Sequence, residues 1–185
     1  MSRENVVVRR WVPVGFALGW YALVLALVPF GRGIVDFFRS RGLLVVGTTV
    51  GMALLVALLV VVGRAAQRRG WIEPRVWLVG FGLAVVLVAA AQLLPRAEER
   101  WHVVEYGVLG FLCWYAVPPT AARRVVWAAL LAAGAGWLDE GIQLILPDRV
   151  YDWWDVGLNA ASGLAGAILP AISLRAAKHG IQRGD

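Results

Sequence analysis

The stretch Trp137-Leu-Asp139-Glu140-Gly-Ile-Gln143-Leu-Ile-Leu-Pro147-Asp-Arg149-Val-Tyr-Asp152-Trp-Trp-Asp155-Val-Gly-Leu-Asn159 decides how this chain is read. Apolar runs flank it on both sides, each long enough to cross a bilayer as a helix. Asp139, Glu140, Gln143, Arg149, Asp155 and Asn159 lie within and between those runs. Ionisable groups at membrane depth are costly, so they turn toward a bundle interior or a wet cavity and mark function. The stretch therefore predicts membrane helices and the place where chemistry or binding is to be sought.

Working outward, similar apolar runs recur along all 185 residues. The chain is 60% hydrophobic and only 16% charged, far from the balance of a water-soluble domain. The expected class is an all-α polytopic integral membrane protein with no soluble domain of useful size. The net charge of +6 does not point to nucleic acid, because the basic residues flank the spans and no nucleic-acid-binding module is present. The single cysteine, Cys113, cannot form an intrachain disulfide and lies in an apolar run, where it reads as a packing residue. The run from Trp11 to Phe30 is too long for a cleaved signal peptide and reads as a retained span.

Six helices are expected. The first covers Trp11 to Val28, stopping near Pro29 and Gly31; the second covers Leu43 to Val62. The third runs from Pro74 to Leu94, with proline placed for a helix start. The fourth runs from Trp101 to Val117, the fifth from Arg123 to Leu146, and the sixth from Trp153 to Leu174, with Pro170 kinking or ending its last turn. They form one membrane domain: residues 1–95 hold three generic spans and residues 96–185 hold three spans bearing the polar residues. Arg32, Asp36, Arg39 and Arg41 read as an ordinary solvated loop after the first span. Gly15 with Gly19, and Gly47 with Gly51, match the small-xxx-small pattern and read as packing positions within the bundle.

Charge sets the expected orientation. Arg3, Arg9, Arg10, Arg64, Arg68, Arg69, Arg75, Arg123, Arg124, Arg175, Lys178 and Arg183 fall on one side. Arg32, Arg39, Arg41, Arg96, Arg100 and Arg149 fall on the other, so twelve of the 18 basic residues face six. The richer side is cytoplasmic by the positive-inside rule, which puts both termini there. The fourth span then starts outside, the fifth ends outside, and the sixth starts outside.

This topology brings the polar residues to one outward-facing pocket. His102, Glu105 and Tyr106 share a face of the fourth helix at spacings of three and four. On the fifth, Asp139 and Glu140 are adjacent, so one points at the pocket while the other sits obliquely, and Gln143 follows a turn later. On the sixth, Asp152, Asp155, Asn159, Gly163 and Gly166 trace one stripe, with glycines at its deeper end allowing close helix approach. His102 suits proton transfer near neutral pH, with Glu105, Asp139 or Glu140 as a base. Arg149 suits a phosphate or carboxylate. A histidine with several carboxylates also suits a divalent cation, so a metal cofactor stays open. The bland alternative for all of them is a hydrogen-bonded network that fastens three helices.

At these residues the chain resembles the VanZ-like family of bacterial membrane proteins. The resemblance rests on Glu99-Arg-Trp-His102-Val-Val-Glu105-Tyr106-Gly107-Val-Leu109. It rests also on Asp139-Glu140-Gly-Ile-Gln143, Pro147-Asp-Arg149, Asp155, Asn159, Gly163 and Gly166. It covers the second half of the chain. One departure is that Arg100 is separated from His102 by Trp101. The resemblance implies a multi-pass protein of the bacterial cytoplasmic membrane, with the motif residues facing outward. It implies that His102, Glu105, Asp139, Glu140, Gln143, Arg149, Asp155 and Asn159 form one site. It also carries the family's association with resistance to a glycopeptide of the teicoplanin type, with no established reaction.

Three functions follow as expectations. The first is a pocket that acts on or binds a cell-envelope lipid or lipid-linked glycan. In that reading His102, Glu105, Asp139 and Glu140 do the chemistry, while Tyr106, Gln143, Arg149, Asp155 and Asn159 hold the substrate. The second is a non-catalytic binding or accessory protein. The third, a small ion-coupled transporter, is weakened because the ionisable groups cluster near one face and form no chain to the other.

Overall fold

In hydrocarbon a backbone must satisfy its own hydrogen bonds, so long apolar segments have little choice but to coil into helices. The computed structural model describes residues 3–69, 74–94, 96–120, 123–147 and 151–181, and among them every regular element is α-helical. The helices are α1 (Arg3–Ser40), α2 (Leu44–Arg68), α3 (Pro74–Ala91), α4 (Glu99–Ala116), α5 (Arg124–Gln143) and α6 (Trp153–Ile181). Among the described residues, four stretches are long and apolar enough to cross a membrane: Trp11–Ser40, Leu44–Ala65, Arg124–Gln143 and Trp153–Ile172.

Several boundaries differ from expectation. α1 does not stop at Pro29; it continues through Pro13 and Pro29 to Ser40. Prolines are tolerated in such helices because neighbours and local adjustment satisfy the freed carbonyls. Its end is set by Gly42 at φ 67°, with Gly42 N–H donating to Arg39 O (3.0 Å) and Leu43 N–H to Phe38 O (2.9 Å). That is a Schellman stop, which requires a residue at ease with positive φ. Arg32, Asp36 and Arg39 therefore lie on a helix, not in a loop. Asp36 pairs with Arg32 (3.5 Å) and with Arg39 (3.2 Å). α6 passes through Pro170 and continues to Ile181.

α4 carries Glu99, Arg100, His102 and Glu105 in its first two turns. It is also central, packing against α1, α3, α5 and α6. Enclosure by other helices is how a bilayer protein shields such residues. α4 runs parallel to α6 and crosses it very closely. A methyl added to Gly110 would run into the Gly163 carbonyl, and one added to Gly166 would run into the Gly107 carbonyl. α5 joins the same junction, with the Ala132 methyl over Gly163 and Asn159 lying on Gly136. The expectation for Gly163 and Gly166 thus holds. For Gly15 and Gly19 it fails, because nothing lies within 4 Å of a methyl added at either.

The α4–α5 turn is held by Arg124. Its Nε donates to Trp114 O (2.7 Å) and its guanidinium lies 3.7 Å from the centre of the Trp114 ring. The apolar core beneath the polar residues joins α1, α4, α5 and α6 through Ala17, Leu109, Cys113, Trp114, Ala128, Ala132 and Ala167. Cys113 is buried there and free.

Candidate functional site

Because α4 and α6 run parallel and α5 runs the other way between them, the start of α4, the end of α5 and the start of α6 meet at one end of the bundle. Tyr106 is fully buried, and its hydroxyl donates to Asp139 Oδ2 across 2.7 Å. A bond of this kind to a carboxylate is among the stronger ones in proteins. Asp139 Oδ1 is buried as well and has no partner. One turn earlier on α5, Gly136 leaves room for Asn159, which is fully buried with both its amide nitrogen and its oxygen unpaired.

Glu140 is buried as well, so both adjacent carboxylates are enclosed, each with its own partners. Glu140 Oε1 accepts from Gln143 Nε2 (2.8 Å), and Oε2 accepts from the Asp152 backbone N–H (3.3 Å). Asp139 is directed to α4, whereas Glu140 ties α5 to the approach of α6. Adjacent positions on a helix are separated by about 100° of rotation, enough to serve two different neighbours.

Asp152 was expected on the α6 stripe. It precedes the helix and caps it, Oδ1 accepting from the Trp154 N–H at 2.8 Å. Its Oδ2 also meets Arg96 Nη1 at 3.3 Å, and the same nitrogen lies 3.0 Å from Glu99 Oε1. One aspartate thus fastens the start of α6 to α5 and to the segment before α4.

His102 is half-buried between these two groups. Its ring stacks on Tyr106, with centroids 6.3 Å apart and planes 12° from parallel, and its Nδ1 is buried without a partner. It lies within electrostatic reach of Glu105, Glu140 and Asp155. Asp155 is partly buried, and its Oδ1 is enclosed and unpaired. Arg149 lies outside the described residues. Among the described residues, no three histidine, cysteine, aspartate or glutamate side chains stand close enough together to hold a metal ion.

Two residues of α1 reach this region, although the first half of the sequence offered only generic spans. Trp20 Nε1 donates to the Glu105 carbonyl (2.9 Å), and the Tyr21 hydroxyl donates to the Ala135 carbonyl (2.9 Å). The available signal was position: Trp20 and Tyr21 sit well inside an apolar run, whereas tryptophan and tyrosine favour the membrane interfaces. A buried indole or phenol needs a partner, so mid-span placement foretells one.

The arrangement can therefore do three things: hold helices together, bind a polar group at the unpaired atoms, or move a proton between His102 and a nearby carboxylate. No family model, no curated protein and no solved structure matches this chain.

Proposed function

We propose that this is a VanZ-like, six-span protein of the bacterial cytoplasmic membrane, with both termini inside. On this reading its polar cluster faces outward and acts on or binds a cell-envelope lipid or lipid-linked glycan. The excess of basic residues at the opposite loops and termini supports that orientation. The observation that carries the functional reading is the set of unpaired buried atoms at the three-helix junction: Asp139 Oδ1, both amide atoms of Asn159, His102 Nδ1 and Asp155 Oδ1. A native structure leaves few buried polar atoms without partners, and such a concentration calls for a bound group or water to satisfy it. A network that existed only to fasten helices would satisfy its own atoms, as Glu140, Gln143 and Asp152 do.

In the catalytic version, His102 exchanges a proton with the substrate while Glu105 or Asp139 sets its charge, and the reaction is hydrolysis or group transfer on the lipid headgroup. Arg149 in the α5–α6 connection would hold an anionic head, and Tyr106, Gln143 and Asn159 would orient it. Expression of the wild-type chain should change the host's envelope lipid profile, and His102→Ala and Asp139→Asn should each abolish the change. Identical profiles for wild type, variants and empty vector would remove this reading.

A second version, binding without chemistry, is favoured by one observation: Glu140 and Asn159 are sealed from solvent, as few reacting groups are. It predicts that Asp139→Asn keeps both binding and the cellular effect. Any protection against a teicoplanin-type glycopeptide belongs to either version, and a susceptibility assay with the same variants tests it.

A further inference from the structure

An apolar groove of about 370 Å³ runs between α1, α4 and α5, beside the polar cluster and separate from it. Its α1 wall runs from Val14 to Tyr21, roughly 10 Å at the rise of an α-helix. Leu18 and Leu131 form its lips and are 64% and 54% exposed, so the groove opens sideways out of the bundle. Because α1 and α5 are both apolar enough to cross a membrane, that opening faces lipid hydrocarbon. At the other end the groove is closed by Tyr21 and Ala135, joined by the Tyr21 hydroxyl bond to the Ala135 carbonyl. Ala135 is one turn from Asp139 on α5, and Tyr21 lies within electrostatic reach of the Asp139 carboxylate. An apolar trough thus ends against the polar site.

We infer that this groove holds one hydrocarbon chain of a membrane lipid, lying along α1 and α5 with its polar end toward Asp139. The polar end rests on the function proposed above; the chain's place in the groove rests on the groove alone. A helix of another protein, or of a second copy, fits less well. Helices in bilayers pack through small residues that let backbones approach, and the lips here are two leucines. A flexible chain passes between such lips and fills the space behind them.

Native mass spectrometry of the protein purified in mild detergent tests the proposal. Wild type should retain a lipid. Leu131→Trp places an indole in the mouth, whereas Leu130→Trp puts the same indole at an exposed neighbour that does not line the groove. Loss of contact with even two methylenes weakens binding roughly tenfold, so bound lipid should fall by at least about that factor in Leu131→Trp and stay unchanged in Leu130→Trp. Equal lipid in both variants, no lipid in the wild type, or a dimer that only Leu131→Trp dissociates would each overturn it. The two readings fail separately. Lipid lost from Leu131→Trp while the envelope profile ignores His102→Ala leaves the groove and removes the function. The reverse result leaves the function and removes the groove.

Discussion

α4, α5 and α6 are built differently from α1 and α2, although all are rich in the same apolar residues. Within 18-residue stretches of α5 and α6, 28% and 33% of residues are buried, against 17% and 12% in α1 and α2. In the first group α4 and α6 meet backbone to backbone through Gly107, Gly110, Gly163 and Gly166, Gly136 of α5 lies under the Asn159 side chain, and the three helices enclose Asp139, Glu140, Gln143 and Asn159. A methyl added at Gly15, Gly19 or Gly33 of α1 would meet nothing within 4 Å. The contrast shows that hydropathy reports which segments enter a bilayer, while small residues and buried polar groups report which segments pack together. It also places the candidate site, because only tightly packed helices can hold polar atoms away from both lipid and water.

The sharpest way to break this contrast is one substitution made in both regions. Gly110→Ala drives a methyl into the Gly163 carbonyl of a neighbouring helix, and backbone cannot step aside as a side chain can. It should cost about 3 kcal/mol or more and abolish the monodisperse folded fraction in detergent. Gly15→Ala adds a methyl where nothing lies within 4 Å, and should leave stability unchanged or raise it by up to about 1 kcal/mol. Thermal unfolding of the two variants side by side decides the matter. Equal melting temperatures would mean that α4 and α6 do not meet as described.

The Tyr106–Asp139 bond comes next. Tyr106→Phe removes the hydroxyl and leaves Asp139 with both oxygens unpaired in a sealed site, which should cost about 1–3 kcal/mol. The bond itself is isolated by a double-mutant cycle with Asp139→Asn. A coupling of about 1 kcal/mol is expected, and single effects that add to within about 0.5 kcal/mol would mean that the two side chains act independently.

Tyr21→Phe carries the comparison to α1. Its hydroxyl bond to Ala135 is partly buried and should be worth about 0.5–1.5 kcal/mol. The loss should appear as increased protease access to α1 rather than as global unfolding, because few other polar ties hold that helix. A variant that unfolds in one step with the rest of the bundle would make α1 as integral as α4 and erase the distinction.

The sequence made part of this legible. Spacing on one helix fixes which residues share a face, so His102 with Tyr106, and Asn159 with Gly163, could be placed before any coordinates. The fate of Asp139 and Glu140 could not be. Both are adjacent in the chain, and only the positions of α4 and α6 determine that one finds a tyrosine hydroxyl and the other a backbone N–H. Asp152 was misplaced for a related reason: an aspartate before Trp153-Trp154 reads equally as a first-turn residue or a cap, and the hydrogen bond decides. Tyr21 and Ala135 are 114 positions apart, and no local pattern in either segment names the other. The passage of α1 through Pro29 was hidden by a proline rule that holds best in water, where a freed carbonyl and a steric clash usually end the helix.

The smallest effect concerns the ion pairs at the polar end of the bundle, and it tests whether α1 is held there by charge or by packing. Arg39 meets Glu98 at 2.6 Å, which joins the end of α1 to the segment before α4, but its side chain is half exposed. Pairs at such sites contribute at most about 1 kcal/mol, because solvent screens them and two long side chains must be held still. Arg39→Ala should therefore lower stability slightly at low ionic strength and by less as salt is added, since the Debye length shrinks to about 3 Å at 1 M. If the loss is larger than that of Tyr21→Phe and does not diminish with salt, the pair is acting as a buried contact. α1 would then be anchored at this end as firmly as α6 is by Asp152, and the looseness ascribed to the first helix would be confined to its other end.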